Sequence, residues 1–219
     1  MEETKSALVV PYLQNCTAGS DYGETEARLD ELERQLIGAV SWPAFPYKPQ
    51  VQFVLAHRGD ALLLKFFVCE ECVRIEHQED NSAVYEDSCV EFFIAFDGEE
   101  SYYNFEFNAA GTCLAQFGKN RRERWFIDAE QLHKISRNTH MNNKKESGTG
   151  EANWQLTLVI PLEVFSYHQL SNLKSHTAAA NFYKCGDALP QKHFLSWKKI
   201  ISPEPDFHLR QFFGDVIFE

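Results

Sequence analysis

The sequence predicts an all-β protein, an antiparallel β-sandwich with one or two short peripheral helices. Three observations point there. Apolar segments with period-2 alternation recur at short intervals, giving about ten strands separated by turn-rich stretches. Only one segment repeats its apolar residues at helical spacing. A third stretch, Val84 to Gly111, carries two alternating runs around Asp97-Gly98-Glu99-Glu100-Ser101 and reads as a β-hairpin. In its first arm Val90, Phe92, Ile94 and Phe96 share one face, and in its second Tyr103, Phe105 and Phe107 do. That face is core. The other holds Glu91, Asn104, Glu106 and Asn108, expected to face solvent, where an Asn104 to alanine change would cost little.

The 219 residues, 44% of them hydrophobic, suffice for one core, and residues 1–219 are read as a single domain. Residues 1–41 form its N-terminal strand and helix. The strand spans Ala7 to Leu13. The helix begins near Asp21, whose side chain can cap with Glu24 completing a capping box, and continues through Leu29, Leu32, Leu36 and Ile37 until Gly38 stops it. The Pro-rich run from Trp42 to Pro49 is extended, with Trp42 as a packed aromatic.

From Gln50 the chain becomes β-rich. Val51 to His57, a turn at Arg58-Gly59-Asp60 and Ala61 to Cys69 form a hairpin whose second arm, apolar on both faces, predicts a covered central strand. Residues 70–83 are polar loop. After the Val84–Gly111 hairpin, Thr112 to Phe117 gives a strand, and the basic run Lys119 to Arg124 reads as a solvated loop, with phosphate or carboxylate binding as the alternative. Gln131 to Thr139 is read as a strand, His140 to Asn153 as a loop and Trp154 to Ile160 as a strand with Leu156, Leu158 and Ile160 inward. Leu162 to Phe165 can make one helical turn. Short strands at Ala178 to Lys184 and His193 to Trp197 precede a closing strand, Phe212 to Phe218.

The formal net charge of −11 opposes binding to nucleic acid or an anionic membrane, since both require a positive surface. No apolar run reaches the roughly 20 residues of a membrane helix, and the acidic start lacks an export signal, so the expected location is cytoplasmic. The six cysteines sit mostly in strand patterns and are expected to be reduced. Cys69 and Cys72 have CxxC spacing, but no second CxxC, HxxxH or βαβ unit accompanies them.

No nucleophile elbow, HExxH, P-loop or dinucleotide fingerprint occurs, and no two of the eight histidines stand four apart. No catalytic residue is assigned. Glu91 and Glu106 are a carboxylate pair on one sheet face, which leaves open a glycoside-processing enzyme. Acceptors and amides beside aromatic rings also suit sugar hydroxyls, each of which donates and accepts. A third reading makes the chain a β-sandwich protein-interaction module whose polar face is decoration. No cofactor is expected, although the acidic stretches Glu79-Asp80, Glu86-Asp87 and Asp97 to Glu100 are candidates for calcium.

The strings Tyr85 to Phe93 and Tyr102 to Asn108 with Gly111, the Asn181–Lys184 strand with Gly186-Asp187, and Ser196-Trp197 with Phe207-His208 and Phe213-Gly214 resemble carbohydrate-binding module family 9 and its single-domain bacterial relatives. The resemblance covers the chain from about Trp42 onward. It implies a sandwich related to the DOMON superfamily, a non-catalytic grip on a mono- or oligosaccharide of glucan or xylan type in carbohydrate catabolism, and often structural calcium. The expected hydrogen-bonding residues are Glu91, Asn104, Glu106, Asn108 and Asn181, with Tyr183 and Arg121 beside them. Trp197 and Trp125 are the candidate stacking rings, while Trp154 belongs to the core.

Overall fold

The structure, a computed structural model, describes residues 7–14, 22–142 and 151–219. Its strands are β1 (Leu8–Val10), β2 (Gln35–Leu36), β3 (Ala39–Val40), β4 (Gln50–His57), β5 (Ala61–Glu70), β6 (Cys89–Phe96) and β7 (Tyr102–Asn108). They continue as β8 (Cys113–Gly118), β9 (Arg124–Phe126), β10 (Ser136–Asn142), β11 (Ala152–Pro161), β12 (Thr177–Cys185), β13 (Phe194–Ser196) and β14 (Gly214–Phe218). Two short helices accompany them, α1 (Tyr22–Asp30) and α2 (Ala129–Leu132). One sheet runs β1-β14-β12-β6-β7-β8-β9, with β13 joining β12 to β3, and the other runs β10-β11-β5-β4-β2. The all-β sandwich is as the alternation predicted. No helix among the described residues is long and apolar enough to cross a membrane.

The sheets meet through the faces that alternation assigned to the core. Phe92, Phe105 and Phe182 from the first sheet bury against Phe53, Leu64 and Phe66 of the second. Phe182 stacks on Phe53 at 3.6 Å between centroids and on Phe92 at 5.0 Å, so the rings interdigitate across the sandwich. Leu156, Leu158 and Ile160 are fully buried, as expected. β5 is covered on both faces: Leu62, Leu64 and Phe66 enter the central core, while Ala61 and Leu63 lie with Leu29 of α1 in a smaller cluster. Lys65 on that outer face is buried and reaches Asp30 at 2.7 Å.

Several expected boundaries move. The helix does not continue to Gly38: it ends at Asp30, Gln35–Leu36 pairs with β4, and Ile37 donates its N–H to Val51 O and buries its side chain in the central core. Edge pairing there satisfies backbone groups and buries Ile37, which outweighs the helical spacing of its neighbours. Asp21, the expected cap, lies outside the described residues, as does Cys16. The segment read as a strand from Gln131 opens instead with α2 and becomes β10 only at Ser136. The expected loop from His140 to Asn153 is narrower, since β10 and β11 extend into it from both sides and 143–150 lie outside the described residues.

One polar link crosses the core. Lys184 Nζ lies 3.0 Å from Glu70 Oε2 with both side chains fully buried, and Glu70 Oε1 accepts from Trp154 Nε1 at 2.7 Å. Lys184 also donates to Cys185 O at 2.8 Å and meets His193 Nε2 at 3.0 Å. Burial lowers His193 to about 3, so its ring is neutral and accepts. Removing one member leaves a buried charge alone. Glu70→Gln should therefore lower unfolding free energy by about 3–5 kcal/mol, while the apolar double replacement Glu70→Leu with Lys184→Met should recover most of it. Urea denaturation measures both, and a Glu70→Gln loss below about 1 kcal/mol would remove the pair from the stabilising core.

Candidate functional site

The outer face of the first sheet carries the polar set of the β6–β7 hairpin. Glu91 and Glu106 stand directly opposite each other in the β6–β7 register, and Tyr183 of β12 stands opposite Glu91 on the other side. They are not solvent-exposed as expected: Glu91, Asn104 and Glu106 are all buried. Trp42, Phe194, Phe207 and Phe213 cover this face as a second apolar layer. A cleft of about 470 Å³ opens through that layer onto Glu91, Glu106 and Cys185. Its walls include Arg121, Arg122 and Arg124 on one side and Asp187, Asp206 and His208 on others, with Tyr85, Phe194 and Phe207 supplying aromatic surface.

The arginine wall is a β-hairpin tip between β8 and β9. Asn120 Oδ1 accepts the N–H groups of Arg122 and Glu123 at 2.9 and 3.1 Å, and Arg124 Nε donates to Arg121 O at 3.1 Å. Gly118 starts the turn. A Cβ there would lie 2.0 Å from Glu123 O, so only glycine lets the two strands close.

A chain of hydrogen bonds ties this wall to the floor. Arg124 Nη1 donates to Asn104 Oδ1 at 3.4 Å and to His208 Nε2 at 3.1 Å, while Asn104 Nδ2 donates to Glu106 Oε1 at 3.0 Å. Because Nε2 accepts from a guanidinium, the His208 proton sits on Nδ1, facing Tyr102 OH at 3.0 Å. Burial, then Arg124 and Arg121, hold His208 well below the usual histidine range, so the ring is neutral. Glu106 Oε2 is buried without a hydrogen-bond partner. Burial outweighs the pull of Arg124 and the Asn104 bond, and pushes Glu106 up to about 7. Glu91 rises further for the same first reason, with Cys185 and Glu106 adding to it, and its Oε1 accepts from Cys185 Sγ at 3.0 Å. The floor therefore presents carboxyl groups that can donate as well as accept near neutrality.

The sequence profile of carbohydrate-binding family 9 matches residues 25–218. The chain belongs to carbohydrate-binding family 9. A crystal structure of an inferred carbohydrate-binding protein from Bacteroides uniformis ATCC 8492 is 38% identical, superposes with a TM-score of 0.88, and the match covers 97% of this chain and 99% of that one. A family 9 module from Caldicellulosiruptor kristjanssonii, solved with glucose and with cellotriose, is 11% identical with a TM-score of 0.59, over 98% of this chain and 96% and 94% of those, and shares its fold. No curated protein matches the chain.

In this family 9 member the residues singled out from sequence separate into three groups. Glu91, Glu106 and Arg121 line the cleft. Asn104 lies beneath, spent on Glu106 and Arg124, so its truncation would open a buried network rather than trim a surface. Tyr183, Asn181 and Asn108 act on loops. Tyr183 stacks on Phe207 at 4.2 Å and donates its OH to Phe207 O, and Asn181 Nδ2 donates to Lys198 O and Phe212 O, which together hold the segment carrying Asp206 and His208 over the sheet. Asn108 Nδ2 binds His77 O and Asp87 Oδ2, and its Oδ1 accepts from Ala110 and Thr112.

Neither expected stacking ring reaches the cleft. Trp197 packs edge-on against Phe53 and Phe182 with Lys198 Nζ 3.8 Å over it, and Trp125 stands opposite Phe117 on the other face of β9, 62% exposed. Arg122, Arg124, Asp187, Asp206, His208 and Phe207 also line the cleft and were not among the expected site residues. The basic run at 119–124 was visible in sequence, but nothing in it says that a later loop folds over to face it.

In the acidic stretches proposed for calcium, four carboxylates already meet protein groups. Asp80 gives both oxygens to Arg137 at 2.7 and 2.9 Å, and Asp87 accepts from the Glu76 and His77 N–H groups and Asn108. Asp97 and Glu99 lie 3.3 Å from His176 and His168. Among the described residues Cys89, Glu91 and Cys185 bring their donor atoms within 4.8 Å of one another, and burial pushes Cys89 up to about 12 and the other two upward, so a metal ion there would have to displace their protons. Cys69, Cys72, Cys89, Cys113 and Cys185 are free thiols, as expected.

The raised Glu106 carboxyl has a measurable consequence. Unfolded it titrates near 4.5 and folded near 7, so between those values the folded protein binds the extra proton. Raising pH through that window must then cost stability on its account, by up to about 1.4 kcal/mol per pH unit. Glu106→Gln removes the titration, so the variant's stability relative to wild type should improve from about pH 5 to about pH 7 in urea unfolding. An unchanged difference would mean that the carboxyl is already ionised at the lower pH.

Proposed function

We propose that this protein is a non-catalytic carbohydrate-binding module that holds a mono- or oligosaccharide, of glucan or xylan type, in the Glu91–Glu106 cleft. One observation carries the reading: Glu106, which lines the cleft, holds a buried carboxyl oxygen, Oε2, with no protein hydrogen-bond partner. A buried polar atom left unpaired costs free energy, and a sugar hydroxyl that donates and accepts would relieve it. Arg124, fixed by Asn104 and His208, is ready to donate to a neighbouring hydroxyl without first being ordered. Phe207 and Tyr85 offer apolar surface to a pyranose ring. The B. uniformis relative and the glucose- and cellotriose-bound module support a sugar as the ligand.

The pairing of Glu91 with Glu106 also raised hydrolysis. A glycosidase needs one carboxyl protonated and its partner ionised, with environments that separate them. Here burial raises both carboxyls, and turnover is the measurement that separates the two readings. Calorimetric titration with short glucans and xylans tests the proposal. Glu106→Gln and Glu91→Gln should each weaken binding by about 1–3 kcal/mol while the far-UV spectrum is unchanged. Wild-type affinity in both variants would move the ligand out of this cleft, and turnover of an aryl glycoside would replace the module with an enzyme.

A further inference from the structure

The nine arginines of this acidic chain are not distributed alike. Arg28, Arg58, Arg74 and Arg137 each lie within ion-pair distance of a carboxylate. Arg34 and Arg210 sit over aromatic rings, at 3.6 Å from Phe67 and 5.5 Å from Phe213. The remaining three are Arg121, Arg122 and Arg124. All three line the cleft, and among the described residues none forms an ion pair. We propose that the cleft selects a sugar bearing a negative charge, with a uronic acid carboxylate as the group best matched to the guanidinium wall, over the neutral sugar of the same ring. This rests on the cleft being the carbohydrate site.

The wall is built for that purpose in ways a solvated basic loop does not require. Asn120 and Gly118 hold the tip closed, so the guanidiniums are presented on an ordered turn. Their planar forks match a carboxylate with two parallel N–H···O bonds. The acids in the walls are fewer than the guanidiniums. Asp187 lies 3.6 Å from Lys192 Nζ, which leaves Asp206, whose Oδ1 accepts the His208 backbone N–H, as a single carboxylate facing three arginines. Burial raises both Glu106, to about 7, and Glu91, so the floor carries less negative charge than two exposed carboxylates would. In a chain of net charge −11, three guanidiniums outside any ion pair gathered in one cleft can serve a neutral ligand only as hydrogen-bond donors, whereas an anionic ligand also meets their charge.

Calorimetry with matched pairs tests this: methyl glucoside against methyl glucuronide, methyl galactoside against methyl galacturonide, and glucose 6-sulfate as a third arm, each at low and high salt. The uronide should bind about tenfold or more tightly than its neutral partner at low salt, with the preference shrinking as salt rises. Arg121→Gln with Arg122→Gln should abolish the preference while the circular dichroism spectrum stays native. Equal gain from the sulfate would mean that charge alone is read, and gain from the carboxylate only would mean that the planar fork is read; both support an anionic ligand. Neutral sugars binding as tightly as uronides, with their binding still lost in Glu106→Gln, would overturn the charge selectivity and leave the carbohydrate site standing. No binding by any member of the panel, extended to oligosaccharides, would sink the carbohydrate reading and this inference with it.

Discussion

Side chains on a β-strand alternate between two faces, and in β6 and β7 that alternation makes one hairpin serve two incompatible environments. Val90, Phe92, Phe105 and Phe107 must face the other sheet, because the stack of Phe53, Phe182 and Phe92 is what joins the two sheets. Glu91, Asn104 and Glu106 then have no choice but to face outward. A slip of one residue would drive carboxylates into the apolar core and expose the phenylalanines, so the core itself enforces the register of the cleft floor.

What lies outside that floor is not bulk water. The segment from Lys198 to Phe213 folds back across the sheet, pinned by Asn181 and Tyr183, and converts a polar sheet face into a walled cleft. Covering the carboxyls raises their proton affinity, and the network from His208 through Arg124 and Asn104 satisfies only one Glu106 oxygen. Unpaired buried polar atoms are destabilising, so the floor carries a cost that the fold must offset elsewhere. The cost at the floor sits beside a sandwich with ample apolar burial, including a sheet whose outer face is closed by α1.

The two faces of the first sheet differ in how they treat charge. In the core, Lys184 and Glu70 neutralise each other and are closed off by Trp154 and His193. At the cleft, guanidiniums and carboxyls are placed on opposite walls without ion pairs between them, which leaves hydrogen-bonding capacity for something else. The same residue types are thus structural in one place and available in the other, and the difference is whether a partner stands within about 4 Å.

By itself the sequence determined the sandwich, the parity of the central hairpin and the covered β5 strand, because period-2 patterning is local and survives without knowledge of the rest of the chain; that Glu91, Glu106 and Arg121 line one cleft came from the tertiary structure. The sequence misjudged the helix beyond Asp30, where pairing with β4 overrides helical spacing, and it took Asn108, Asn181 and Tyr183 for ligand contacts when they anchor loops. Trp197 and Trp125 had the right chemistry for stacking and the wrong position. Only the tertiary structure decided which polar residues meet: Arg124 lies 20 residues from Asn104 and 84 from His208, and no local pattern encodes contacts at those separations. It also decided that the polar face is buried, since the covering residues arrive from loops whose paths depend on the folded sheet beneath them.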